Sequence, residues 1–119
     1  MIEPQSDGFG FVNLAKFKAG FAADINDADA AFMRDSQVPI AMSAFGDKVT
    51  RAAWRLKPSW FVVATEDGAI DPKLLRKTAT RIGAEPVEIK GSHVVFLSRP
   101  EAVANVIDKA AKTAVATAR

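Results

Sequence analysis

Apolar and polar positions alternate in two different ways along the chain, and the change falls near Leu56. Before that point apolar residues are scattered and no β-branched run occurs. Residues 13–24, NLAKFKAGFAAD, place Leu14, Phe17, Phe21 and Ala22 at helical spacing behind Asn13, a favoured N-cap type. A second helix is expected through ADAAFMRDS, opened by Asp27 or Asp29. A third is expected from Val38 to Phe45, stopped by Gly46. These short, alanine-rich segments predict a helical excursion instead of a sheet.

Beyond Leu56 the texture changes. Trp60-Phe61-Val62-Val63-Ala64-Thr65 is a continuous apolar run bounded by Pro58 and Gly68, as expected of a strand buried on both faces of a parallel sheet. Asp71-Pro72 reads as an N-cap followed by proline at the first helical position, and the helix should run through KLLRKTATRI to Gly83. Pro86–Lys90 is a second short strand. Ser98-Arg99-Pro100-Glu101 reads as a capping box opening a helix with Val103, Val106 and Ile107 on one face. The alanine-rich tail from Ala110 is expected to fray. The pattern is α/β: a helical region over residues 1–56, then a short parallel β-α-β-α unit over 57–119.

Composition narrows the classes. A chain of 119 residues with 49% apolar and 25% charged residues fits one ordinary globular domain. Sixteen basic and fourteen acidic residues are interspersed, for a net charge of +2, and no basic run is interleaved with aromatics. No nucleic-acid partner is expected. With no cysteine, disulfides, thiol catalysis and Cys-ligated metals are excluded, and no cofactor or metal is implied. The start, MIEPQSDGFG, lacks the apolar core of a secretory signal, and no stretch approaches the roughly 20 apolar residues that cross a bilayer. A cytoplasmic protein with no membrane partner is the expectation.

The chemistry lies in the loops after the two strands. In open α/β sheets, ligands and catalytic groups gather outside the carboxyl ends of the strands. There the first loop carries Glu66, Asp67 and Asp71, and the second carries Lys90-Gly91-Ser92-His93. Adjacent parallel strands would let a carboxylate meet the imidazole, fix its tautomer and leave the other ring nitrogen to take a proton. The bland alternatives carry weight. A lone loop histidine is more often a surface or packing residue than a catalyst. Asp67-Gly68 is also a common turn signal. Glu66 and Asp71 compete with Asp67, although Asp71 has a ready use as a helix cap.

Trp60 to Ile107 resembles the C-terminal end of the α/β-hydrolase fold: strand, acid loop, helix, last strand, histidine loop, last helix. ATEDGAI is similar to that family's acid loop, an aspartate followed three residues later by an aliphatic, which assigns the acid to Asp67 with Ile70 behind it. GSHVVFLSRPEAVANVI resembles the histidine loop and last helix, with His93 as the base. The nearest branch resembles hydroxynitrile lyases, plant-type methyl esterases and small bacterial esterase-like relatives. Residues 1–56 would then be cap, with QVPIA and AAWRLKPSW returning to the core, and 57–119 the C-terminal part of the core. The resemblance implies that His93 takes a serine proton, that Asp67 orients the imidazole, and that a small ester, amide or cyanohydrin binds under the cap. Phe45 and Trp54 are candidate cap contacts, although packing explains each of them better.

One element of that family is absent from these residues. The nucleophile sits in a G-x-S-x-G turn upstream of the acid and histidine, and no such segment occurs here. The serines lie in PQSDG, RDSQV, AMSAF, KPSWF and GSHVV, and Ser98 is expected as a helix cap. The expectation is a C-terminal hydrolase portion with acid and base but no nucleophile, inactive alone and completed by an N-terminal hydrolase half. The alternative is a non-catalytic, self-associating α/β half-domain, a pseudoenzyme or binding module. Either way the edge of WFVVAT lacks a neighbour, so a homodimer is expected.

Overall fold

In the computed structural model, which describes residues 1–117, the chain opens with a hairpin. Strands β1 (Ile2–Pro4) and β2 (Phe9–Val12) pair antiparallel, with Ile2 opposite Val12 and Pro4 opposite Gly10. The turn runs through Asp7 and Gly8. Asp7 Oδ1 accepts from the Phe9 amide at 3.0 Å, and Gly8 takes a left-handed φ of 86°, which favours glycine. Two helices follow, α1 (Phe17–Phe21) and α2 (Asp27–Asp35). Asn26, not Asp27 or Asp29, caps α2, accepting from the Asp29 amide at 2.9 Å. Asn13 accepts from the Lys16 amide at 2.8 Å and closes the turn ahead of a helix shorter than expected. An ion pair between Lys18 and Asp27 spans the α1–α2 corner.

The third expected helix is replaced by β3 (Ile40–Ala41), which joins β2, and a 3-10 turn over Met42–Phe45 that does end at Gly46. The first half therefore contains a three-stranded antiparallel sheet in the order β1-β2-β3 as well as its helices. Between α2 and β3 the Gln37 side chain acts as a strand residue would. It accepts from the Val12 amide at 2.8 Å and donates to the Val12 carbonyl at 3.1 Å. Phe17, Ala22 and Ala30 form the core here, with Val12, Phe21, Ile25 and Met33 around them.

The second half follows the expected order. β4 (Trp60–Ala64) and β5 (Glu85–Ile89) pair parallel, with Val62 opposite Val87 and Ala64 opposite Ile89. Helix α3 (Pro72–Arg81) connects them. Asp71 caps α3 by accepting from the Lys73 amide at 2.8 Å, and Gly83 (φ 69°) follows its end. Arg76 on α3 grips Glu88 on β5 through two N–H donors at 2.7 and 3.0 Å. A short helix α4 (Val95–Ser98), not expected, precedes α5 (Pro100–Thr117). Val103 and Val106 of α5 pack with Ala64, Ile89 and Val95 on one sheet face, whereas Ile107 is exposed. The segment from Ala110 stays helical to Thr117, and the rest of the expected fraying tail lies outside the described residues. Ser98 is no helix cap. It ends α4, and its hydroxyl donates to Asp24 Oδ2 at 2.6 Å.

Among the described residues β4 pairs only with β5, so one edge of β4 is free. The Thr65 amide donates to Ile89 at 3.0 Å, so by alternation the Val62 and Ala64 amides face that open edge. No helix among the described residues is long and apolar enough to cross a membrane.

Candidate functional site

Parallel pairing of β4 with β5 brings the loops at their carboxyl ends side by side. The Glu66 amide donates to the Gly91 carbonyl at 3.0 Å, carrying the ladder beyond the strands and setting the spacing of the loops. Just past that bond the His93 ring nitrogen Nδ1 lies 2.8 Å from Asp67 Oδ2.

Asp67 is preorganised as an acceptor. Its other oxygen, Oδ1, accepts from the Ala69 amide at 2.8 Å and the Ile70 amide at 2.9 Å, which fixes the carboxylate plane. The side chain is 3% exposed, whereas that of His93 is 30% exposed. Where the carboxylate accepts from the ring, Nδ1 carries the proton, and in the neutral imidazole Nε2 then keeps the lone pair. Nε2 makes no hydrogen bond among the described residues. Since no buried polar side-chain atom there lacks a partner, Nε2 is open to approach. One edge of the imidazole is held and the other is free, which is the arrangement of an oriented proton acceptor.

The rival carboxylates are used elsewhere. Glu66 sits 3.6 Å from Lys90 Nζ on the exposed side of the loop, and Asp71 is the cap of α3. Among the described residues no serine hydroxyl bonds His93. Ser92 is buried and accepts from the Val94 amide at 3.4 Å, and Ser36 and Ser59 donate to nearby carbonyls. Phe45 is exposed, and Trp54 stacks against the Arg55 guanidinium at 4.7 Å. Neither reaches the cleft beside His93. That cleft, about 250 Å³, runs from Asp67 and His93 along Ala64 and Val62 of β4 to Phe96 and Val103.

The first half supplies groups to this site that helical periodicity did not single out. Phe21 at the end of α1 lies against the imidazole, ring centroids 4.5 Å apart and tilted by 43°. Val94, 1% exposed, is buried in the first half's core beside Phe17 and Ala22. A Cβ on Gly68 would lie 2.9 Å from the Gly20 carbonyl oxygen, so only glycine lets the acid loop approach α1 this closely. Asp24 Oδ2 accepts from the Ser92 amide at 3.0 Å as well as from the Ser98 hydroxyl. Burial opposes ionisation of Asp24, but the bonds from Ser92 and Ser98 outweigh it and hold the carboxyl below its ordinary range. Only the aspartate's polarity in FAAD, at the end of an apolar helical stretch, hinted at a separate use.

Residues 3–106 match a family model described as alpha/beta hydrolase family. No curated protein and no solved structure matches the chain.

Proposed function

Because the chain belongs to the α/β-hydrolase family, we propose that it supplies the acid and base of a hydrolytic triad, Asp67 and His93, to a serine carried outside these residues. The observation that carries this reading is the 2.8 Å contact between His93 Nδ1 and a buried Asp67 with a free Nε2 opposite. In the complete site Nε2 removes the serine proton as the hydroxyl attacks a carbonyl carbon. The resulting imidazolium is stabilised by Asp67, and the proton then passes to the leaving group. A small ester or amide is the substrate class. The cleft beside His93, about 250 Å³, is below the roughly 300–1,000 Å³ of ordinary ligand pockets. That suits a site with one wall contributed from elsewhere.

The open edge of β4 supports the same reading. Val62 and Ala64 of that strand line the cleft together with Asp67 and His93, so a strand added there would carry its following turn towards the acid–base pair. When the chain is alone, a second copy pairs with that edge instead.

An esterase assay on nitrophenyl acetate tests the proposal. The chain alone should give no saturable turnover. Mixed with a polypeptide bearing a G-x-S-x-G strand-turn-helix, it should give turnover that His93→Ala cuts by a factor on the order of 10⁴. Saturable turnover by the chain alone that survives His93→Ala would refute it.

A further inference from the structure

The acid and the base sit on separate loops, and one short segment of the first half touches both. Gly20 lies against Gly68 of the acid loop, and Phe21 lies against the His93 ring. Ala22 is buried in the same cluster as Val94, the residue after His93. Asp24 then reaches the histidine loop from a distance of 68 residues to Ser92 and 74 to Ser98. The corner that presents Asp24 is itself pinned, by the Ile25 amide donating to the Ala22 carbonyl at 3.2 Å and by the Lys18–Asp27 pair.

These contacts differ in kind. The Gly20, Phe21 and Ala22 contacts are van der Waals packing, which presses surfaces together but tolerates sliding. The Asp24 contacts are charge-assisted hydrogen bonds of 2.6 and 3.0 Å, and such bonds fix direction as well as distance. Their donors bracket the base: Ser92 immediately precedes His93, and Ser98 follows it one short helix later. A bond to the Ser92 amide fixes the Gly91–Ser92 peptide plane, whose carbonyl already accepts from Glu66, and the next plane, which leads into His93, is held by the Ser92 carbonyl accepting from the Val95 amide at 3.1 Å.

We propose that Asp24 is a positioning residue for His93: its carboxylate, anchored in the first half, holds the Gly91–Ser92 peptide and the Ser98 hydroxyl on either side of the histidine, so that Nδ1 of the imidazole stays on Asp67. The inference rests on the acid–base reading of Asp67 and His93 and adds a second carboxylate that acts through the backbone. The first half thereby becomes part of the catalytic apparatus as well as a cover for it. If the segment ending at Asp24 is not docked, the base is not aimed.

The chain's single histidine makes this measurable in the full chain without any activity. Histidine labelled with ¹⁵N reports the exchange of the Nδ1 proton with water. In the wild type that proton should exchange slowly. Asp24→Ala should speed its exchange roughly tenfold or more, the scale of losing a charged hydrogen bond. Asp24→Asn, which keeps a side-chain oxygen acceptor, should recover part of the protection. Ser98→Ala, which removes one donor and leaves the Ser92 bond, should fall between wild type and Asp24→Ala. Circular dichroism reads the overall fold of each variant. A purely structural role would lower the melting temperature and leave the exchange rate unchanged. An unchanged rate in Asp24→Ala, or in Ser98→Ala if the first variant does not fold, overturns the inference. Failure of the underlying reading looks different: a wild-type Nδ1 proton that Asp67→Asn does not affect.

Discussion

His93 Nδ1 and Asp67 Oδ2 lie 2.8 Å apart, although the two residues are 26 positions apart in the chain and sit on different loops. Three features produce that contact. The parallel register of β4 and β5 sets the loops side by side, and the Glu66–Gly91 backbone bond extends the register past the strands. The Ala69 and Ile70 amides then hold the carboxylate plane. The pair is therefore built by backbone geometry on both sides, and both residues line the cleft along β4.

The closeness of Gly20 to Gly68 should be visible in stability. With only 2.9 Å between a Cβ at position 68 and the Gly20 oxygen, Gly68→Ala must push α1 from the acid loop. It should cost about 1–3 kcal/mol in denaturant unfolding monitored by circular dichroism. A midpoint unchanged from the wild type would show that the loop yields without loss.

Acid should weaken the Asp24 tie in a defined direction. The folded carboxyl is held below the unfolded value of 3.8. Its stabilisation is therefore complete above that value and is lost as pH falls through the lower folded value. The difference in melting temperature between wild type and Asp24→Asn should be constant from neutral pH to about 5 and shrink below about 4. A difference that grows on acidification would contradict the bonding pattern.

The legible parts of the fold were those with sharp chemical boundaries. Asp71-Pro72 and Gly83 bracket α3, and the apolar run from Trp60 is rich in β-formers and too short for a helix, so it reads as a strand and the β-α-β order follows. From that order the meeting of the Asp67 and His93 loops also follows. The hairpin at the start was not legible. Its strands are 3 and 4 residues long, too short for periodicity to register, and the Asp7-Gly8 turn between them was the one signal. β3, at 2 residues, is a strand only because β2 is beside it. Ser98 fits a capping box locally, but its hydroxyl satisfies Asp24, 74 residues away. Contacts of that range are decided by packing of the two halves, which is also why Asp24 could not be singled out beforehand.

The free edge of β4 predicts association of the isolated chain. Two copies joined along Val62 and Ala64 would form a four-stranded sheet about a twofold axis, and a stable dimer of this kind should bury more than roughly 1,200 Å² in total. Light scattering after size exclusion should give twice the mass of the chain at micromolar concentration. A monomer that persists there would mean that the edge is protected within the chain.

The central claim is that Asp67 sets the protonation geometry of His93, and ¹⁵N chemical shifts of the single imidazole at a pH where it is neutral test it most directly. The account predicts that the proton sits on Nδ1 in the wild type, with Nε2 unprotonated. In Asp67→Asn, whose amide can donate to the ring, it should move to Nε2. A wild-type imidazole protonated on Nε2, or one whose tautomer is the same in Asp67→Asn, would contradict it.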